Sequence, residues 1–225
     1  MVVGASVSVA DIVFDLAHHK TALAPVHAIT IGHTANDYFG NGAFAHPCIK
    51  NHASIERVDA KSRTVYLADG TSITGVDRII FGTGYTWMLP FLPEVEVRNN
   101  RVPGLYRHVV WQKDPTLLFV GAVAAGLTFK IFEWQAVLAA RLLAGRATLP
   151  SAEEMARWES ERIAQHGDSV RFTLVFPDFE GYFEAVRRLA GDHIGSVGRV
   201  LPPFNPEWVK AFLDGHQLRK NSGRG

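Results

Sequence analysis

Met1-Val2-Val3-Gly4-Ala5-Ser6-Val7-Ser8-Val9-Ala10-Asp11 opens this chain of 225 residues, and its reading decides the fold. Apolar strand-forming residues run into Gly4, where the backbone must turn, and Gly4 to Ser8 is a small-residue turn. From Val9 to Ala17 the apolar residues recur at helical spacing. Pro25 then precedes Val26-His27-Ala28-Ile29-Thr30-Ile31, an alternating strand that stops at Gly32. Strand, Gly/Ser turn, helix and strand make the opening βαβ unit of a nucleotide-binding α/β fold. A central strand usually has about five residues. Met1-Val2-Val3 is shorter, so the chain is expected to begin inside a structural unit.

The chemistry of the turn follows from its position. A helix N-terminus offers unsatisfied N–H groups and a partial positive charge, which suit a pyrophosphate. A Gly-x-Gly-x-x-Gly turn lets phosphate and helix approach the strand together. Here Ser6 stands at the second glycine, where its hydroxyl can still donate, and Val9 stands at the third. Val9 is expected to push the helix slightly off the strand. From these residues alone, a plain βα turn stays open beside dinucleotide binding. At the end of the second strand an NAD site would carry an acid for the ribose hydroxyls. Gly32-His33-Thr34 stands there instead. This leans toward a 2′-phosphate, with His33 and Thr34 as donors, although no arginine accompanies them.

Outward from this unit, residues 34–52 lack periodicity and read as a long loop. Thr64-Val65-Tyr66-Leu67 and Thr71-Ser72-Ile73 flank Asp69-Gly70, a hairpin turn dipeptide. A strand follows at 77–81 and runs into Gly82-Thr83-Gly84-Tyr85. Two glycines bracketing a threonine at a strand end let the backbone turn tightly against a ligand. Ligands of α/β sheets sit just beyond the carboxyl ends of strands. Past three prolines, Leu117 to Val120 reads as a buried strand ending at Gly121, and a helix runs from Phe129 to Leu143 with Gln135 on its apolar stripe. Gly145 is placed as its cap. Ser151 and Glu154 form a capping box for a further helix to about Gln165. Amphipathic helices near 178–190 and 206–218 complete the chain.

Composition excludes several classes. The net charge is +1, with no clustered basic face for nucleic acid. Cys48 is the single cysteine, which rules out an internal disulfide and fits a reducing, cytoplasmic setting. The longest apolar run, Thr116 to Phe129, is shorter than the roughly 20 residues of a membrane span. Met1 leads into Val-Val-Gly without a basic segment, so no signal peptide is expected. His46, Cys48 and His52 match no zinc spacing, and no metal is expected. No Ser/His/Asp or Cys/His arrangement suggests nucleophilic catalysis, so any chemistry belongs to a cofactor.

In order along the chain, these pieces resemble the C-terminal half of the flavin-containing monooxygenase family. Gly4, Ser8 and Asp11 fit its NADP-binding turn, Gly-x-Gly-x-Ser-Gly-x-Asp, while Ser6 and Val9 depart from it. Asp77-Arg78-Ile79-Ile80-Phe81-Gly82-Thr83-Gly84-Tyr85 is similar to the family's Ala-Thr-Gly-Tyr segment, with Gly82 in place of alanine. Asp114 to Gly121, Phe132-Glu133-Trp134-Gln135-Ala136, Arg141 and Leu149-Pro150-Ser151 resemble its last flavin-domain strand and helix. The family's FAD-binding turn and its Phe-x-Gly-x-x-x-His signature lie upstream of the NADP turn and match nothing in this chain.

The resemblance implies an α/β fold. Residues 1–84 would form a Rossmann-like NAD(P)H domain truncated at its first strand, 85–150 the C-terminal part of an FAD-binding domain, and 151–225 a helical tail. It implies FAD and NADP as cofactors and oxygenation of soft nitrogen or sulfur nucleophiles through a flavin peroxide. Gly4, Ser6 and Ser8 would hold the pyrophosphate and His33 and Thr34 the 2′-phosphate. Gly82, Thr83, Gly84, Tyr85, Gly121 and Gln135 would border the flavin. A small-molecule substrate is expected, with self-association through apolar surface of 85–145. A non-catalytic NADP-binding protein or an inactive truncated product is the rival reading. A two-dinucleotide reductase would need a Cys-x-x-Cys that is absent.

Overall fold

The computed structural model describes residues 1–19, 22–33, 42–124, 126–191 and 198–222. By its internal contacts the chain divides into two compact units, Met1–Tyr85 with Leu213–Gly225, and Thr86–Phe212.

The first unit is built on β1 (Val2–Val3), α1 (Val7–His18), β2 (Val26–Ile29), β3 (Ile49–His52), β4 (Ile55–Asp59), β5 (Thr64–Leu67), β6 (Ser72–Ile73) and β7 (Ile80–Phe81). The main sheet runs in the order β3-β2-β1-β7. All its pairs are parallel, with Val2 opposite both Ala28 and Ile80. Side chains alternate along a strand, so the two faces collect different residues. Val2, Val26 and Ala28 pack under Val9, Ala10, Val13 and Ala17 of α1. Val3 and Ile29 pack on the opposite face with Ile55, Val65, Leu67 and Ile73 of the antiparallel β4-β5-β6 meander. Covering both faces is what an all-parallel sheet requires. Asp69-Gly70 closes the β5–β6 hairpin as expected, with Gly70 at φ 82° and Asp69 accepting the Thr71 N–H at 2.9 Å.

Two strands depart from the sequence reading. Ile49–His52 falls in the expected loop yet pairs with β2 along four residues, and β4 was not anticipated. Both carry mostly polar, exposed side chains, so neither shows a hydrophobic alternation. The second strand also stops early, since Ile31 turns to φ 51° and is exposed.

The second unit carries β8 (Leu105–Tyr106), β9 (Val110–Trp111), α2 (Thr128–Leu143), α3 (Ala152–His166), α4 (Phe179–Ala190) and the first turns of α5 (Glu207–Ser222). Ile131, Trp134 and Leu138 of α2 pack with Phe183, Val186 and Ala190 of α4, and Trp208 and Phe212 join them. Arg141 is buried and donates to the Ala190, Gly191 and Arg199 carbonyls, capping the end of α4. The capping box forms, with the Glu154 N–H on the Ser151 hydroxyl and the Glu154 carboxylate on the Ser151 N–H. Leu117 to Val120 does not form the expected buried strand. It makes only a bridge, Leu118 opposite Val110, with a Phe119 N–H bond to the Val109 carbonyl at 2.7 Å. Hydrogen bonds on that one side hold it, and Val120 is half exposed.

Candidate functional site

The expected phosphate turn lies where the parallel strands end. Gly4 sits at φ 125°, a conformation that disfavours any side chain. Its N–H donates to the Ile29 carbonyl at 2.9 Å, while the Gly82 N–H donates to the Val3 carbonyl at 2.8 Å. The turn is thereby tied to both flanking strands. A Cβ on Gly4 would lie 2.6 Å from the Gly82 carbonyl oxygen, so the structure brings Gly4 and Gly82 together. Ser6 is the N-cap of α1 and is extended; its carbonyl accepts from Val9 and Ala10. Its side chain does not cap the helix, and no acid stands in the first turn. The opening N–H groups, at Val7 and Ser8, lie before the helix's own ladder begins. This donor set fits an anion.

Val9, expected to push the helix off the strand, packs against the strand ends instead of facing solvent. It is fully buried, and its Cγ2 occupies the space where a Cβ of Gly82 would be. Glycine at 82 makes room for the valine, a compensation supplied by a residue far along the chain.

At the end of β2, His33 is exposed and its N–H closes a turn to the Thr30 carbonyl at 2.9 Å. Thr34 lies outside the described residues. After β7, Gly84 takes φ 80° with no atom crowding its Cβ position, and Tyr85 is 99% exposed. The half-buried His27 and His52, on adjacent strands, share a hydrogen bond, Nδ1 to Nε2, of 2.9 Å. Burial first, and then for His27 the charge of His52, holds it below the ordinary imidazole value; burial does the same for His52. His46 is engaged elsewhere, with its Nδ1 accepting the Cys48 N–H. Among the described residues no group of three or more His, Cys, Asp or Glu could hold a metal ion.

In the second unit Gly121 and Gln135, each expected beside the flavin, bond to one another. Gly121, at φ 95°, donates its N–H to Gln135 Oε1 at 2.8 Å. Gln135 is fully buried and donates from Nε2 to the Tyr182 hydroxyl at 2.7 Å. Tyr182 donates in turn to the Arg107 carbonyl at 2.9 Å. Burial pushes the Tyr182 hydroxyl well above the ordinary phenol value, so it remains a donor. This relay fixes the turn at Gly121 from inside the core. Tyr182 was not legible as part of it, because its spacing with Phe179, Phe183 and Val186 reads as a helix's apolar stripe. Replacing Tyr182 by phenylalanine is expected to leave the Gln135 amide and the Arg107 carbonyl unpaired. The loss should be about 1–3 kcal/mol in urea denaturation.

A cavity of about 150 Å³ lies nearby, lined by Trp87, Arg101, His108, Ala122 and Phe172 among others. His108 is fully enclosed, ringed by Trp158, Phe172 and Tyr182. Burial foremost, and then the Arg162, Arg107 and Arg101 charges, holds it well below the ordinary imidazole value.

Comparison with known proteins agrees with this architecture. A trimethylamine monooxygenase from Methylocella silvestris is 35% identical over 194 residues, covering 71% of this chain and 43% of that protein. Flavin-containing monooxygenase FMO GS-OX-like 2 from Arabidopsis thaliana is 31% identical over 79% of this chain and 38% of its own length. The solved S-allyl-L-cysteine S-oxygenase from Allium sativum superposes with a TM-score of 0.71 at 24% identity, over 98% of this chain and 48% of that one. The chain thus spans less than half the length of these relatives. No helix among the described residues is long and apolar enough to cross a membrane. The flavin-binding monooxygenase-like family profile matches residues 5–189, and the chain belongs to that family.

Proposed function

We propose that this chain carries the NADPH-binding turn and the C-terminal part of the flavin domain of an FAD-dependent monooxygenase. On this reading residues 1–84 bind NADPH, 85–150 complete the flavin domain and 151–225 form its helical tail. The observation that carries it is the uncapped α1 N-terminus at the ends of parallel strands, with Gly4 held in a conformation that keeps the cradle open. Gly4, Ser6 and Ser8 hold the pyrophosphate. The 2′-phosphate falls to His33 and Thr34.

FAD, when bound, supplies the redox chemistry that activates oxygen. In the second unit, Gly121 borders it. Gln135 acts at one remove, because its amide is committed to Gly121 and Tyr182 and so sets the shape of the turn. The substrate is a small molecule with a soft nitrogen or sulfur nucleophile; the relatives named for trimethylamine and for S-allyl-L-cysteine support that class. Exposed apolar residues of the second unit, Met88, Phe91, Val120 and Phe129, support association of this surface with another polypeptide, a second copy included.

Calorimetry on the purified chain is expected to show NADP⁺ binding. Absence of heat at millimolar nucleotide would end this reading. A rival reading is an NADP-binding protein without oxygenase activity. Flavin absorbance together with NADPH-driven oxygen uptake by the chain would refute that rival, whereas colourless protein that binds NADP⁺ would support it.

A further inference from the structure

Gly82 is not glycine because its backbone demands it. Its φ lies outside the left-handed region, unlike Gly4 and Gly84. The obstacle to a side chain is Val9: a Cβ at position 82 would lie 2.3 Å from Val9 Cγ2. Real Cβ atoms do not approach that closely, and a β-branched side chain in a helix has little rotamer freedom with which to yield. The same methyl would lie 2.9 Å from a Cβ on Gly4. One buried methyl therefore seats in a notch made by two glycines, one at the end of β1 and one at the end of β7.

The placement matters because Val9 is in the first turn of α1. Its seat sets the distance between that turn and both strand ends. The N–H groups of Val7 and Ser8 move with it, and charge-assisted hydrogen bonds to a phosphate weaken steeply as their geometry departs from ideal. Beyond Gly82 the chain continues through Thr83-Gly84-Tyr85, so the same seat also fixes where that segment starts.

We propose that Val9 and Gly82 form a knob and notch that positions the α1 N-terminus for the nucleotide, making them a pair of positioning residues. This rests on the assignment of NADP(H) to the Gly4–Ser8 turn. The pair predicts coupling that neither residue shows alone. Gly82→Ala must force α1 or β7 outward. Val9→Ala removes the methyl and leaves the position 82 Cβ facing the residue 9 Cβ at 3.6 Å, an ordinary contact.

The test uses the whole chain as wild type, Gly82→Ala, Val9→Ala and the double variant. NADP⁺ affinity is read by calorimetry and thermal unfolding by far-UV circular dichroism. Gly82→Ala is expected to weaken NADP⁺ by about tenfold, the loss of roughly one good hydrogen bond, and to lower the unfolding midpoint by several degrees. The double variant is expected to recover the affinity to within about threefold, as couplings between touching residues allow. Unchanged affinity in Gly82→Ala overturns the proposal. So does a double variant that regains its unfolding midpoint but not its affinity, because the pair would then serve packing alone. A wild-type chain that binds no NADP⁺ removes the nucleotide assignment and this inference together; the other outcomes leave the assignment standing.

Discussion

Gly4→Ala is expected to abolish NADP⁺ binding and to remove several kcal/mol of stability. Two independent costs combine. At φ 125° an alanine is held in a region that L-residues avoid, worth about 1–3 kcal/mol of backbone strain. Its Cβ would also lie 2.6 Å from the Gly82 carbonyl oxygen and 2.9 Å from Val9 Cγ2, an overpacking that costs about 1–3 kcal/mol more. The oxygen is backbone and cannot rotate away, so relief requires β7 or the turn to move. Stabilities of about 5–15 kcal/mol leave little margin against such a sum. Far-UV circular dichroism during urea denaturation, with calorimetry on the same sample, measures both consequences. A variant that unfolds with the wild type and binds NADP⁺ normally would contradict the geometry of the turn.

The other large effect is expected in the second unit. The Arg101 side chain is 1% exposed, and its Nε donates to Asp168 Oδ1 at 2.6 Å. It also pairs with Glu159 at 3.3 Å and lies over the Phe172 ring at 4.1 Å. Glu159 in turn accepts the Gly104 N–H at 2.8 Å and Gln112 Nε2 at 2.9 Å. The guanidinium thus joins the 98–104 segment to α3 and to the turn after it. Arg101→Met keeps much of the volume but leaves Glu159 without its cation and Asp168 with Arg98 alone, at 3.3 Å. The loss should be about 3–5 kcal/mol. Arg101→Lys should recover only part of it, because an ammonium cannot reach both carboxylates with a planar fork. All five tryptophans lie between Trp87 and Trp208, so tryptophan emission reports this unit directly. An unchanged urea midpoint in Arg101→Met would show that the cluster contributes nothing net.

What the sequence makes legible here is local chemistry. The Gly4 turn, the helix behind it, the Asp69-Gly70 hairpin and the Ser151–Glu154 capping box each depend on residues within a few positions of one another. Strands β3 and β4 were not legible because their side chains are polar and exposed, and their partners supply the order. The expected strand at Leu117 to Val120 failed for the converse reason: it has the right residues but hydrogen bonds on one side only. The consequence of Val9 could not be read from the turn, since the space it uses is granted by Gly82. The family resemblance puts Gln135 near a flavin. Its partners, Gly121 and Tyr182, come from separate elements, and only their meeting in the core reveals that its amide is already committed.

The central strand β1 also carries a temporal consequence. Val2 precedes both of its partners in the chain, pairing with Ala28 on one side and Ile80, far along the sequence, on the other. Loop-closure entropy must be met before distant pairings become favourable. The β4-β5-β6 meander, whose partners are neighbours in sequence, can close while β1 is still unpaired along one edge. In this unit β1 gains its second neighbour only through a distant pairing, so the cradle around Gly4 acquires its final shape only when Ile80 to Gly82 is in place.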